Sequence, residues 1–192
     1  QLAQAKAQAN SINIETTQSK ADSSLQTART AALAYAQKSV TVAKNSVIIM
    51  TEIQFDHSNL NGMAQGGINF NNAKVQAIKY LLGAENTQGW TPQSLYPING
   101  GAFGKVRTAV NNPTDENIDA ALSVTLESLE YVRTFVDSIP ADTNLTAAEK
   151  ASIIAEKSYI SAEIITISNA IQAISAQKVN NDATIITTNS QI

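Results

Sequence analysis

The chain has 192 residues, a net charge of −3, no cysteine and only 15% charged residues. Absence of cysteine excludes disulfides, thiolate nucleophiles and cysteine metal sites. Lys and Arg are scattered singly, so nucleic acid is not an expected partner, because phosphate binding needs several cations on one face. No run approaches about 18 uninterrupted apolar residues, so no integral membrane segment is expected.

The hydrophobic fraction of 43% allows a core, but aromatics are only 5%. Ser, Thr, Asn and Gln must cover much of the surface, a composition common in extracellular and virion proteins. Gln1 opens directly into a polar, Ala-rich helical pattern without the features of a signal peptide. The chain therefore reads as a mature form or an excised piece.

Glycine and proline mark the organisation. All eight glycines lie between Gly62 and Gly104, and the four prolines are Pro92, Pro97, Pro113 and Pro140. Residues 1–55 and 141–192 contain neither of the two strongest helix breakers. The first element is thus a long helix over 1–56. Leu2, Ala5, Ala9 and Ile12 begin a three-and-four spacing that returns at Leu33, Ala36, Val40, Ala43, Val47 and Met50. Between them the seam turns polar at Thr16, Ser19, Ser23, Gln26 and Thr30.

Residues 57–112 read as glycine- and aromatic-rich loops with two short helices, near 71–82 and 102–111. A third long helix follows over 113–139. Asn112 suits its cap, Pro113 its first position, and Asp115 and Glu116 its positive end. Its seam is Ile118, Leu122, Thr125, Leu129, Val132, Val136 and Ile139. Thr146-Ala-Ala-Glu149 is a capping box that opens the last helix, 146–192. Ile153, Ile160, Ile164, Ile167, Ile171 and Ile174 hold one face of it before the seam fades at Lys178 and Asn181.

The fold class is therefore all-α: an elongated antiparallel helical bundle forming a single module, 1–192. A helix of about 50 residues is about 75 Å long, whereas a compact chain of this size is about 40 Å across. Paired as a hairpin, the two terminal helices would match residues whose numbers total about 200, and both weak seams would fall at one level. Bends at Asn45–Ser46 or Asn180–Asn181 are the alternative to straight helices.

Few residues suggest chemistry. His57 is the only histidine, and no Glu-x-x-His pair accompanies it; it reads as a helix-end or turn residue. Glu149, Glu156 and Glu163 are seven apart and share a face. They read as a solvated surface outside the isoleucine seam. Asn99-Gly-Gly-Ala-Phe-Gly-Lys105 lacks phosphate-loop spacing. No catalytic residues, metal site or cofactor are expected, and the chain is not expected to be an enzyme.

Six of the ten aromatics lie between Phe55 and Phe103. Trp90, Tyr96, Phe103 and Phe70 are the candidate binding residues, for a small-molecule or protein partner at the 84–104 loop. The competing reading is that these rings plug the bundle end.

The layout of long Ala/Gln/Asn/Ser/Thr-rich helices at both termini around an irregular insertion is similar to helical modules of bacterial surface proteins, secreted filaments and phage fibres. It resembles flagellin-like subunits in outline, without a flagellin motif, so no residue roles carry over. The expectation is a non-enzymatic structural subunit of an extracellular, cell-surface or virion assembly: a filament, fibre or surface appendage. It would form a homo-oligomer or polymer through Leu2, Ala9, Ile12, Ile185 and Ile186. The alternative is an extracellular sensor or ligand-binding bundle of a receptor, with a pocket near Trp90 and Tyr96. A pore-forming toxin needs an apolar tongue, and residues 46–50 are too short for one.

Overall fold

The structure, a computed structural model, describes residues 1–61, 65–140 and 143–190. Gly62 and the last two residues of the expected 146–192 helix lie outside the described residues. The elements are α1 (Leu2–Asp56), a 3-10 turn (Ser58–Asn61), α2 (Gln65–Leu82), α3 (Pro92–Leu95), α4 (Gly101–Asn111), α5 (Asp115–Asp137) and α6 (Ala147–Ser190). Among the described residues there is no strand, and the fold is an all-α bundle with long terminal helices.

Local chemistry sets the helix ends. α1 runs through Asn45–Ser46, and α6 through Asn180–Asn181, without interruption. Thr146 and Glu149 close both arms of the capping box. The Glu149 N–H donates to Thr146 Oγ1 at 3.2 Å, and the Thr146 N–H donates to Glu149 Oε2 at 2.7 Å. α5 starts later than expected: Thr114, not Asn112, is its cap, with Thr114 Oγ1 accepting from the Asn117 N–H. The Asn112 carbonyl instead accepts from Asn117 Nδ2. α5 also ends at Asp137, short of 139, because Pro140 disfavours helical backbone just before it.

α2 begins at Gln65, six residues before the expected start, and takes in Gly66 and Gly67. A Cβ at Gly66 would lie 2.8 Å from Pro140 Cγ. That glycine admits a neighbouring segment rather than breaking the helix.

By internal contacts the chain divides into two compact units, 33–168 and 1–32 with 169–192. In the 33–168 unit, α2 packs on α5, and α4 packs on both. Phe70 meets Phe135 with ring centroids 4.9 Å apart, and Tyr80 stacks on Tyr131 at 4.0 Å. Leu81, Leu82, Ile118, Leu122, Leu129 and Val136 are buried with them, as are Val40, Val47 and Met50 of α1.

The 33–56 part of α1 runs antiparallel to the 147–168 part of α6. Ser39 bonds Glu163 and Ser46 bonds Glu156, so the paired residue numbers total 202 at both rungs. This agrees with the hairpin register read from the sequence. In the other unit, Asn181 Nδ2 donates to Ala21 O at 2.7 Å. The polar stretch of α1 therefore meets the faded seam of α6, as expected.

Candidate functional site

The irregular segment 83–100 is held by two buried lysines that sequence reasoning did not single out. Lys74 is fully buried on α2. Its Nζ donates to Gln54 Oε1 at 2.8 Å, Trp90 O at 2.8 Å and Gln88 O at 3.2 Å. Burial without a carboxylate partner pushes its pKa down from 10.5 to about 8. Lys44 on α1 donates to Tyr96 O, Ile98 O and Asn99 Oδ1. Its Nζ lies 5.3 Å from the Phe103 ring centroid, within cation–π range, and burial lowers its pKa too. Each ammonium gathers loop carbonyls that no regular structure would satisfy.

The expected binding residues part company here. Phe70 is a core side chain against Phe135 and does not reach the surface. Trp90 is half-buried, with its carbonyl held by Lys74. The Tyr96 side chain is exposed, while its carbonyl is held by Lys44. Phe103 is half-buried and lines a cavity of about 220 Å³ with Val40, Val106 and Val110.

The glycines before α4 serve packing rather than phosphate binding. Gly101 has φ +48°, and a Cβ there would lie 2.5 Å from Tyr80 O. The Gly100 N–H donates to Leu82 O. The end of α2 thus closes directly on the start of α4.

The second site lies between α1 and α6, and here a sequence expectation is overturned. Glu156 and Glu163 are not a solvated face: they are 6% and 4% exposed. Both sit inside the seam, in the rhythm Ile153, Glu156, Ile160, Glu163, Ile167, all buried. Opposite them α1 presents Ala36, Ser39, Ala43, Ser46 and Met50, also buried. These small residues let the backbones approach, and the serines supply donors.

Ser39 Oγ donates to Glu163 Oε2, and Lys38 Nζ donates to Glu163 Oε1, each at 2.7 Å. Ser46 Oγ donates to Glu156 Oε2 at 2.5 Å. Glu149 makes the last rung, its Oε1 2.8 Å from His57 Nε2. The Thr146 hydroxyl and N–H, with His57, hold its carboxyl down at about 2. His57 itself lies just past the end of α1, as a turn residue.

Beside these rungs lies a cavity of about 500 Å³ lined by Lys38, Val42, Asn45, Ile49, Glu156, Tyr159, Ala162 and Glu163. The signal that could have found it was present in the sequence. The seven-residue spacing of the acids is matched by that of Ser39 and Ser46 on the other helix.

The expected self-association residues all lie in the 1–32 and 169–192 unit. Leu2, Ala9 and Ile12 are exposed, Ile185 is half-buried and Ile186 is exposed.

Fold and site together define an all-α bundle whose terminal helices are joined by polar rungs. No protein-family model, curated protein or solved structure matches the chain. Among the described residues no helix is long and apolar enough to cross a membrane.

Proposed function

We propose that this chain is a non-enzymatic structural module that associates with further copies of itself through the helices of its 1–32 and 169–192 unit. The observation that carries the reading is how little apolar surface that unit buries. Among the described residues its buried side chains are Ala21, Arg29, Ala32, Ala170, Ile174 and Asn181, whereas Leu2, Ile12 and Val179 are 73%, 58% and 64% exposed. Helices in water draw most of their stability from an apolar face packed on something else. One isoleucine and three alanines provide little of that. A second copy, presenting the same exposed apolar positions, supplies the missing contact.

The proposed setting is an extracellular, cell-surface or virion assembly. What supports it is composition: few charges, no cysteine, and long helices covered by Ser, Thr, Asn and Gln. The proposal is non-enzymatic because the polar clusters described above have structural partners: carbonyls for the lysines, hydroxyls and an imidazole for the glutamates.

The test is molar mass by light scattering together with far-UV circular dichroism across a dilution series. Mass is expected to fall toward the monomer on dilution, with a parallel loss of helicity. Ile12→Asp, at an exposed position, should shift that transition to higher concentration. A monomer that stays fully helical at every concentration refutes the proposal.

A further inference from the structure

The two inner rungs between α1 and α6 are built to one plan, displaced by a heptad, and differ in a single charge. At one level Glu163 accepts from Ser39 and from Lys38. Seven residues along α1, the equivalents of Lys38 and Ser39 are Asn45 and Ser46. Seven back along α6, the equivalent of Glu163 is Glu156. Ser46 keeps its bond to Glu156, but the position that should supply the cation holds a neutral, exposed Asn45.

Glu156 is therefore a carboxylate 6% exposed whose Oε2 has one hydroxyl donor and whose Oε1 has no hydrogen-bond partner among the described residues. Even that hydroxyl is shared, since Ser46 Oγ lies 3.2 Å from Val42 O. The neighbouring cations are committed elsewhere: Lys157 to Asp137, Lys38 to Glu163, Lys44 to loop carbonyls. The free Glu156 oxygen is not sealed in protein, so a cation entering the cavity can reach it.

Glu156 lines the cavity of about 500 Å³, a volume in the range of small-molecule sites. The other walls include Val42, Ile49 and Tyr159, apolar or aromatic. Val42 and Ile49 lie two helical turns apart, so the walled length is about 10 Å.

We propose that this groove binds a small amphiphilic primary amine, its ammonium on Glu156 Oε1 in the place that Lys38 fills on Glu163, and its apolar body of about 10 Å along Val42, Ile49 and Tyr159. Charge selects the head: the groove lining carries two carboxylates against one lysine, so an anion is repelled and a neutral head leaves Glu156 as it was. The groove is walled by residues of α1 and α6 alone, which suits a slender ligand. This inference concerns the 33–168 unit alone and does not depend on self-association.

The test is isothermal titration calorimetry with n-hexylammonium, n-hexanol and n-hexanoate, at a protein concentration where light scattering gives a single mass. Hexylammonium is expected to bind one per chain, at least tenfold tighter than hexanol, with hexanoate not binding. Asn45→Lys recreates the internal cation at an exposed position and should weaken hexylammonium at least tenfold while leaving the helical content unchanged. Glu156→Gln, which can still accept from Ser46, should do the same. No binding to the wild-type chain, or equal binding of amine and alcohol, overturns the proposal. So does binding that survives Asn45→Lys, the variant that keeps the test valid should Glu156→Gln fail to fold. A heat that appears only as the mass changes reports association of copies rather than a site within one chain, and overturns it as well.

Discussion

Lys74 offers the sharpest check on how the irregular segment is held. Its ammonium is fully buried among three oxygens, with no carboxylate among the described residues to balance the charge. Burial lowers the folded pKa to about 8, against 10.5 when unfolded. The sign follows from proton counting. Below pH 8 both states are protonated, and the folded chain bears the full desolvation penalty. Between about 8 and 10.5 the folded lysine has released its proton while the unfolded one retains it. The unfolded state then binds more protons, so stability rises with pH through this window. The gap corresponds to about 3 kcal/mol at 1.36 kcal/mol per pH unit.

Lys44, also lowered by burial, acts in the same sense, and Tyr131, raised chiefly by its hydrogen bond with Tyr80, in the opposite one. Both contributions cancel when the wild type is compared with Lys74→Met, which keeps a similar stem and does not titrate. Urea denaturation at intervals from pH 7 to 11 measures the difference. The stability of the wild type minus that of the variant should climb by about 3 kcal/mol across the window. A flat difference would show that Lys74 is solvated or paired, and the account of the loop would fail with it.

Three further predictions follow from the packing. Thr125 is fully buried on α5 with no hydrogen bond to Oγ1; Thr125→Val should stabilise by about 1 kcal/mol, read as a rise of about 2–4 °C in Tm, and a fall would mean the hydroxyl has a partner. Gly101→Ala forces a side chain into φ +48° and against Tyr80 O, so it should cost more than about 1 kcal/mol. Gly104→Ala, where the nearest atom is Asn99 O at 3.8 Å, should instead gain about 0.5–1 kcal/mol from helix propensity, both by thermal scan. Glu149, held near 2 against 4.5 unfolded, contributes stability that is present above pH 4.5 and lost as pH falls toward 2; melting curves over that range should be steeper in pH for the wild type than for Glu149→Gln.

The all-α class and the helix layout were legible because they rest on long runs. A stretch without Gly or Pro, an isoleucine rhythm and a capping box each constrain many residues at once. The α2 start was not legible, since Gly66 signals a breaker in sequence and becomes a contact with Pro140 only in three dimensions. The candidate site was hidden for a related reason. Residue type assigns Glu156 and Glu163 to solvent, because acids are rarely buried unless paired. The partners that bury them, Ser39 and Ser46, lie more than 100 residues away. Phe70 failed in the opposite direction. An aromatic in a loop-rich region suggests recognition, but here the helix extends back to include it and turns its ring onto Phe135.

The polar rungs also bear on why the two helices adopt this register and no other. A seam of isoleucine and alanine alone repeats every heptad, so slipping by seven residues would cost little. With the glutamates in place it costs a great deal. A slip in one direction sets Glu156 opposite Ile53 in place of Ser46, and leaves its charge buried against hydrocarbon. A slip in the other direction takes Glu163 away from both Ser39 and Lys38. Breaking a buried polar pair is far more destabilising than the pair is stabilising, and single polar residues in apolar seams fix register in coiled coils by this asymmetry. The same asymmetry makes Glu156 the weak rung. It bears the register-setting penalty with one hydroxyl and no cation, so a ligand that brings the cation would tighten α1 on α6 at the one inner rung that lacks it.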